Sequence, residues 1–275
     1  ENLPVFPETA RKLMSEIENP DSSAADIARI VKYDPSVSAA ILKMANSTYY
    51  NPMGNQIGNI KQAIARLGFV EVRKICIAFG TMKLFIKTSG LIDLSEFWKH
   101  CIGVAMSTKI LIQLKGQDKT KHTDAFTAGL FHDVGILILD QFFESEYRTV
   151  CDISKNEAGQ IIEIEKKALG IDHGEIGRKL LEKWNFPAFI CETVRFHHEP
   201  DKCDPAYKHL CQIIHIADFA VSSTGNFEPG ESMPEGFNQG AWYDLGLEVE
   251  TIPDLLEDVK KEIQGAAVFT SLGLN

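Results

Sequence analysis

Apolar residues recur three and four positions apart along almost the whole chain, and no segment shows a convincing two-residue strand alternation. A chain with only the helical period buries its apolar faces by packing helix on helix, so the expected fold class is all-α. Ile27, Ile30 and Val31 share one face, as do Val37, Ile41 and Leu42. Ile60, Ile64 and Leu67 form a stripe that Gly68 is expected to end, and Val72, Ile75, Phe79 and Met82 resume helical spacing. Two helix starts are explicit. Ser23 with Asp26 three residues on resembles a capping box with Asp in place of Glu. Asp34 stands before Pro35 as an N-cap before a first-turn proline. "MGNQIGN" is a loop.

The pattern resets after Ser89-Gly90. The expected division is an N-terminal helical lobe over 1–90, packed on a helical-bundle lobe over 91–275. In the second lobe helices are expected near 94–114, 122–140, 144–155, 157–169, 173–184, 187–198 and 205–222. "TGNFEPGESMPEGFNQG", about 224–240, is rich in glycine and proline and is expected to be a long exposed loop. Ile252, Leu255, Leu256, Val259 and Ile263 stay in register for a last amphipathic helix over 252–270.

A net charge of -10 argues against a general nucleic-acid or anionic-membrane surface, since both need basic patches. It leaves room for a small anionic ligand, which needs only a local positive site such as a metal. The six cysteines include no CxxC, and the nearest pair, Cys203 and Cys211, is eight apart. That pattern reads as reduced thiols in a cytoplasmic protein. No run approaches the ~18 apolar residues of a membrane span, and the start shows no secretory signal pattern. The chain opens at Glu1 without a methionine, so a fragment or a renumbered chain is expected.

The chemistry begins at "AGLFHDVGILILD", residues 128–140, where His132 and Asp133 sit in an otherwise apolar segment with a glycine on either side. His173 follows Asp172 at a helix start, and His197-His198 ends a helix just before Glu199-Pro200. Asp218 lies in the apolar "IIHIADFAV", and His100 follows Trp98 on a helix rich in Ile102, Val104, Ala105 and Ile110. Each alone reads as a hydrogen-bonded core residue or a cap. Together they are five imidazoles and two carboxylates on five predicted helices, all in apolar settings. Burying them without a shared partner costs on the order of several kcal/mol. A metal centre removes that cost, and imidazole with carboxylate suits iron, manganese, zinc or nickel. Seven ligands are too many for one tetrahedral ion. They fit two six-coordinate ions about 3.5–4 Å apart with a carboxylate between them.

The order His100, His132-Asp133, His173, His197-His198, Asp218 resembles the metal pattern of the HD superfamily of helical phosphohydrolases. "LPVFPETARKLMSEIENPDSSAADIARIVKYDPSVSAAILKMANSTYY" followed by "IGNIKQAIARLGFVEVRKI" resembles the N-terminal lobe of the HD-related output domain (HDOD) family. "AGLFHDVGILIL", "DHGEIGRKLLEKWNFP" and "RFHHEP" resemble its second lobe, so the likeness runs over nearly the whole chain. The resemblance implies an all-α module of bacterial signal transduction whose N-terminal lobe meets a protein partner. HDOD proteins often look like HD domains that have lost ligands, and this chain keeps the full set. A divalent metal centre is therefore expected, with two ions, iron favoured over manganese, zinc and nickel, and Asp133 bridging. The alternative is a metal-dependent phosphohydrolase taking a phosphate-containing small molecule, with metal-assisted attack of water on phosphorus.

The cyclic-di-GMP phosphodiesterases of the HD-GYP type carry a lysine three residues after the HD aspartate and a Gly-Tyr-Pro element after the paired histidines. Here the first position is Ile136, and the second text reads "HHEPDKCDPAYK". Hydrolysis of cyclic-di-GMP is thus disfavoured, and another phosphate ester stays open.

The remaining polar residues receive quieter readings. His215, three before Asp218 on about the same helix face, is either a support behind the ligands or a core histidine. His122 and His209 are expected at the surface, and Glu175 and Glu199 as solvated carboxylates. Cys101 points about 100° away from His100 and is not assigned to the metal. Trp98 and Trp184 are expected as core anchors, and Asn46 and Ser47 as backbone holders in the turn "NSTYYN".

Overall fold

The computed structural model describes residues 3–17, 19, 21–85, 89–114, 122–154, 161–224, 237–248 and 251–273. At 17, 114, 122–123 and 264–273 it describes the backbone alone. Every regular element among the described residues is helical, and none of those helices is by itself long and apolar enough to cross a membrane. The chain divides into two compact units, Glu1–Ile86 with Gln264–Asn275, and Lys87–Ile263.

In the first unit α1 (Glu8–Ile17), α2 (Ala24–Val31) and α3 (Pro35–Asn46) all pack on α4 (Ile60–Met82). Ser23 and Asp26 form the expected capping box at the start of α2. Asp34 caps α3 by accepting the backbone N–H groups of Ser36 and Val37, both at 3.1 Å, with Pro35 at the first helical position. The core is the set of stripes the periodicity marked, including Ile27, Val31, Ile41, Ile64, Val72 and Ile75. Asn46 grips Ile57 twice, donating to its carbonyl at 2.8 Å and accepting its N–H at 2.7 Å. Ser47 donates to the Met44 carbonyl.

Gly68 breaks α4, at φ 79° and ψ 162°, where the sequence expected a helix end. The next helical stretch continues directly, so the residue works as a kink. A Cβ there would meet nothing within 4 Å, so the cost of Gly68→Ala is conformational alone. That backbone region is nearly restricted to glycine and costs other residues about 1–3 kcal/mol. Urea denaturation of Gly68→Ala is expected to show a midpoint lowered to match, with the slope unchanged.

In the second unit α5 (Leu94–Leu114) packs on α6 (His122–Phe131) and α12 (Lys208–Ser223), and α11 (Ala188–Phe196) packs on α6 and α12. α10 (His173–Lys183) joins this group by packing on α11 and on α7 (Val134–Phe142). α8 (Glu144–Ser154) and α9 (Ile161–Leu169) pair beside them. Trp98 and Trp184 are buried, as expected of core anchors.

The helix expected over 122–140 is two helices, α6 and α7, with His132 and Asp133 in the turn between them. Apolar spacing carries through the turn because its flanks, Phe131 and Val134, are both fully buried. Periodicity therefore cannot register the break. Asp133 lies at φ -101° and ψ 8°, a sparsely occupied bridge conformation common at functional sites.

Residues 225–236 of the expected exposed loop lie outside the described residues. Its last two, Gln239 and Gly240, open a short helix that the sequence reading did not expect, α13 (Gln239–Asp244). Asn238 caps it by accepting the Ala241 N–H at 2.9 Å, and Trp242 anchors it in the core. α14 (Ile252–Gly273) buries Ile252, Leu255 and Val259 in the expected register.

Candidate metal centre

Three of the five candidate-ligand histidines have one ring nitrogen committed to an acceptor. His132 Nδ1 donates to the Gly129 carbonyl at 2.7 Å, and His197 Nδ1 to the Val194 carbonyl at 2.8 Å. His173 Nδ1 donates to the Glu165 carboxylate at 2.7 Å. Carbonyl and carboxylate oxygens only accept, so the proton of each neutral ring sits on Nδ1 and the lone pair on Nε2. All three are fully buried or nearly so.

Those Nε2 atoms converge on carboxylates and on one another. His132 Nε2 is 3.1 Å from Asp133 Oδ2, and His173 and His197 Nε2 are each 3.4 Å from Asp133 Oδ1. His100 Nε2 lies 3.2 Å from His132 Nε2 and 3.2 Å from Asp218 Oδ1. His173 and His197 Nε2 face each other at 3.4 Å, and the His198 ring lies 4.0 Å from that of His197, tilted by 43°. The seven residues fall into two groups. Asp133, His173, His197 and His198 form one, and His100, His132 and Asp218 the other, each with its potential ligand atoms within 4.8 Å of one another.

This is the arrangement a cation requires. With every ring neutral, lone pairs face lone pairs and carboxylates, an interior that repels itself unless positive charge enters, as a proton on His132 or as a metal ion. Burial alone would push the His132 imidazole down, but Asp133 and Asp218 outweigh it and raise its pKa to about 9. Burial pushes His197 and His198 down. Asp133 is held well below the usual carboxylate range against its burial, chiefly by His132. His100 and His132 hold Asp218 down likewise. The donor chemistry thus fits a divalent ion.

A second layer holds the candidate ligands. Glu165, fully buried on α9, accepts both the Nδ1–H and the backbone N–H of His173, the latter at 2.8 Å. Its other oxygen, Oε1, has no hydrogen-bond partner among the described residues. Asp172 caps α10 by accepting the Glu175 N–H at 2.8 Å, and Arg195 and Lys166 hold it, each at 3.2 Å. His215 donates from Nδ1 to the His197 carbonyl at 2.8 Å and accepts the Asn238 N–H at Nε2, so it supports a site residue's backbone from behind.

Glu175 and Glu199 differ from expectation. Both are only 21% exposed and lie in ion pairs, Glu175 with Arg178 and Arg195, Glu199 with Lys166 and Lys202. His209 is half-buried, and the side chain of His122 lies outside the described residues. Cys101 is buried and outside both groups, its thiol pushed well up by burial and then by Asp133 and Asp218. Sequence reasoning missed Glu165. It falls three residues after Ile162 on the buried side of α9, and that polar interruption of an apolar stripe was the available signal.

Beside His198 a cleft of about 530 Å³ opens, its charged lining three carboxylates, Glu163, Glu199 and Asp201, against one cation, Lys202.

Residues 3–200 match the HDOD domain model. The chain belongs to the HDOD family. Asp218 lies beyond the matched span. An HDOD domain protein of unknown function from Geobacter sulfurreducens is 23% identical, with a TM-score of 0.82 over 97% of this chain and 93% of that one. A candidate phosphohydrolase from Shewanella amazonensis SB2B is 24% identical, with a TM-score of 0.78 over 99% of this HDOD chain and 95% of that one. Both likenesses concern the fold. An uncharacterized protein of Treponema pallidum (strain Nichols) is 22% identical over 236 residues, which is 85% of this chain. The chain spans 45% of the length of that curated relative.

Proposed function

We propose that this HDOD chain is a bacterial signalling module whose second unit holds a dinuclear divalent-metal centre and acts by binding a ligand or partner. The observation that carries the reading is the way Asp133 divides its oxygens. Oδ1 faces His173 and His197, both at 3.4 Å, while Oδ2 faces His132 at 3.1 Å and His100 at 3.7 Å. One carboxylate addressing two sets of imidazoles is what a bridging ligand needs. His198 would complete the first set and Asp218 the second. Imidazole-rich sites of this kind favour iron, with manganese, zinc and nickel as rivals. A bound pair of ions would polarise a phosphate and generate a nucleophile from water at neutral pH.

Ile136 favours binding over hydrolysis of a cyclic dinucleotide. It packs against the cluster of Leu139, Tyr147, Val150 and Ile164, so the position supplies no cation. In the first unit Tyr33 and Met53 are more than four-fifths exposed, and we assign that unit to the signalling partner. The second reading, a metal-dependent phosphohydrolase of unknown substrate, is favoured by the complete ligand set. The cleft beside His198 has the volume for a small phosphate ester, and its three carboxylates leave the metal ions to supply the positive charge such a ligand needs. The Shewanella likeness is in keeping with that reading.

Elemental analysis of purified protein is expected to give two metal equivalents per chain. A screen of phosphomonoesters, nucleotides and cyclic dinucleotides with manganese or iron is expected to show no turnover. Turnover that disappears in Asp133→Ala would instead establish the phosphohydrolase. A reconstituted protein holding less than one equivalent would end both readings.

A further inference from the structure

We infer that Glu165 is the positioning residue and buried counter-charge of the metal centre, an inference that rests on the metal reading above. The side chain is fully buried, and both of its hydrogen bonds come to Oε2 from a single residue, His173. Accepting those two N–H groups requires an oxygen but no charge, and a glutamine would serve. A carboxylate there leaves Oε1 buried without a donor among the described residues, a position that is costly for a charged group. A purely structural role leaves that cost unexplained.

The charge has a use one imidazole away. Glu165 Oε2 holds Nδ1–H of His173, which fixes the tautomer and aims the Nε2 lone pair at Asp133 Oδ1, 3.4 Å off. A carboxylate behind a ligating imidazole makes it a stronger donor. It also adds negative charge to a centre in which two divalent ions would face only the carboxylates of Asp133 and Asp218. Glu165 belongs to α9, whose Ile162 and Ile164 are buried, so the carboxylate is held in place by an element separate from the ligand's own helix.

The test strips metal from wild type, Glu165→Gln and Glu165→Asp, then follows manganese(II) binding by calorimetry and thermal midpoints with and without manganese. Glu165→Gln is expected to bind manganese about 10–100-fold more weakly. Its metal-free midpoint is expected at or above that of wild type, because an amide in a dry pocket costs less than a carboxylate. Glu165→Asp, which keeps the charge, is expected to recover part of the affinity. A glutamine variant that binds as wild type overturns the inference. So does one that loses metal-free stability along with affinity while the aspartate variant does no better, since both then trace to a structural cap. If the glutamine variant does not fold, the aspartate variant decides alone, with retained manganese binding as support and its loss as refutation. Failure of the metal reading shows separately, as a wild type that binds no manganese.

Discussion

Asp133→Ala is expected to empty the centre, with metal affinity falling by more than about 100-fold, beyond the range for loss of an outer-layer partner. The substitution removes both oxygens that the imidazoles of His100, His132, His173 and His197 face. It leaves His173, His197 and His198 with no anion, and Asp218 as the one carboxylate of the other set, with nothing shared between the two. The fold should survive, because Asp133 precedes α7 without making a side-chain capping hydrogen bond. Metal analysis together with a thermal midpoint checks this. Two equivalents retained by a folded Asp133→Ala protein would remove the bridging role. Asp133→Asn keeps the shape and drops the charge, and is expected to lose metal as well, since a carboxylate and not an amide bridges cations.

Gly135→Ala is expected to be the most destabilising change considered. A Cβ on Gly135 would stand 1.9 Å from the His173 carbonyl oxygen, 2.8 Å from its carbonyl carbon and 2.9 Å from the Gly177 nitrogen. All three are backbone atoms, so no rotamer change relieves the contact, and α7 must separate from α10. Ordinary overpacking costs about 1–3 kcal/mol, and this case is expected at or above the top of that range. The separation also carries His173 away from Asp133, so metal binding should fall along with stability. Urea denaturation and metal titration of one preparation read both, and a variant matching wild type in either would contradict the close crossing. Gly68→Ala is the contrast, since an open position pays for backbone conformation alone.

Much of the fold was legible because helix formation leaves local marks. Capping at Ser23 and Asp34 and the stripes through Ile27, Ile41, Ile64 and Val259 are read within a few residues of text. The candidate site residues were legible for a related reason, since a polar group in an apolar helix is conspicuous wherever it sits. The break at His132–Asp133 was not, because both flanks are buried and the apolar spacing runs through it. α13 was hidden by its shortness and its position in glycine-rich text.

The all-helical class, most helix starts and the seven side chains with no place in an apolar core could be read from the text alone, because each depends on neighbours along the chain. It took the packed helices to show how those side chains divide into two groups around Asp133, which ring nitrogen of His132, His173 and His197 is committed, and that Glu165 stands behind His173. The glycine beside the His-Asp pair likewise proved to mark the crossing of α7 and α10. These are distances between residues that the chain brings together only by folding, and helical periodicity carries no information about which helix packs on which.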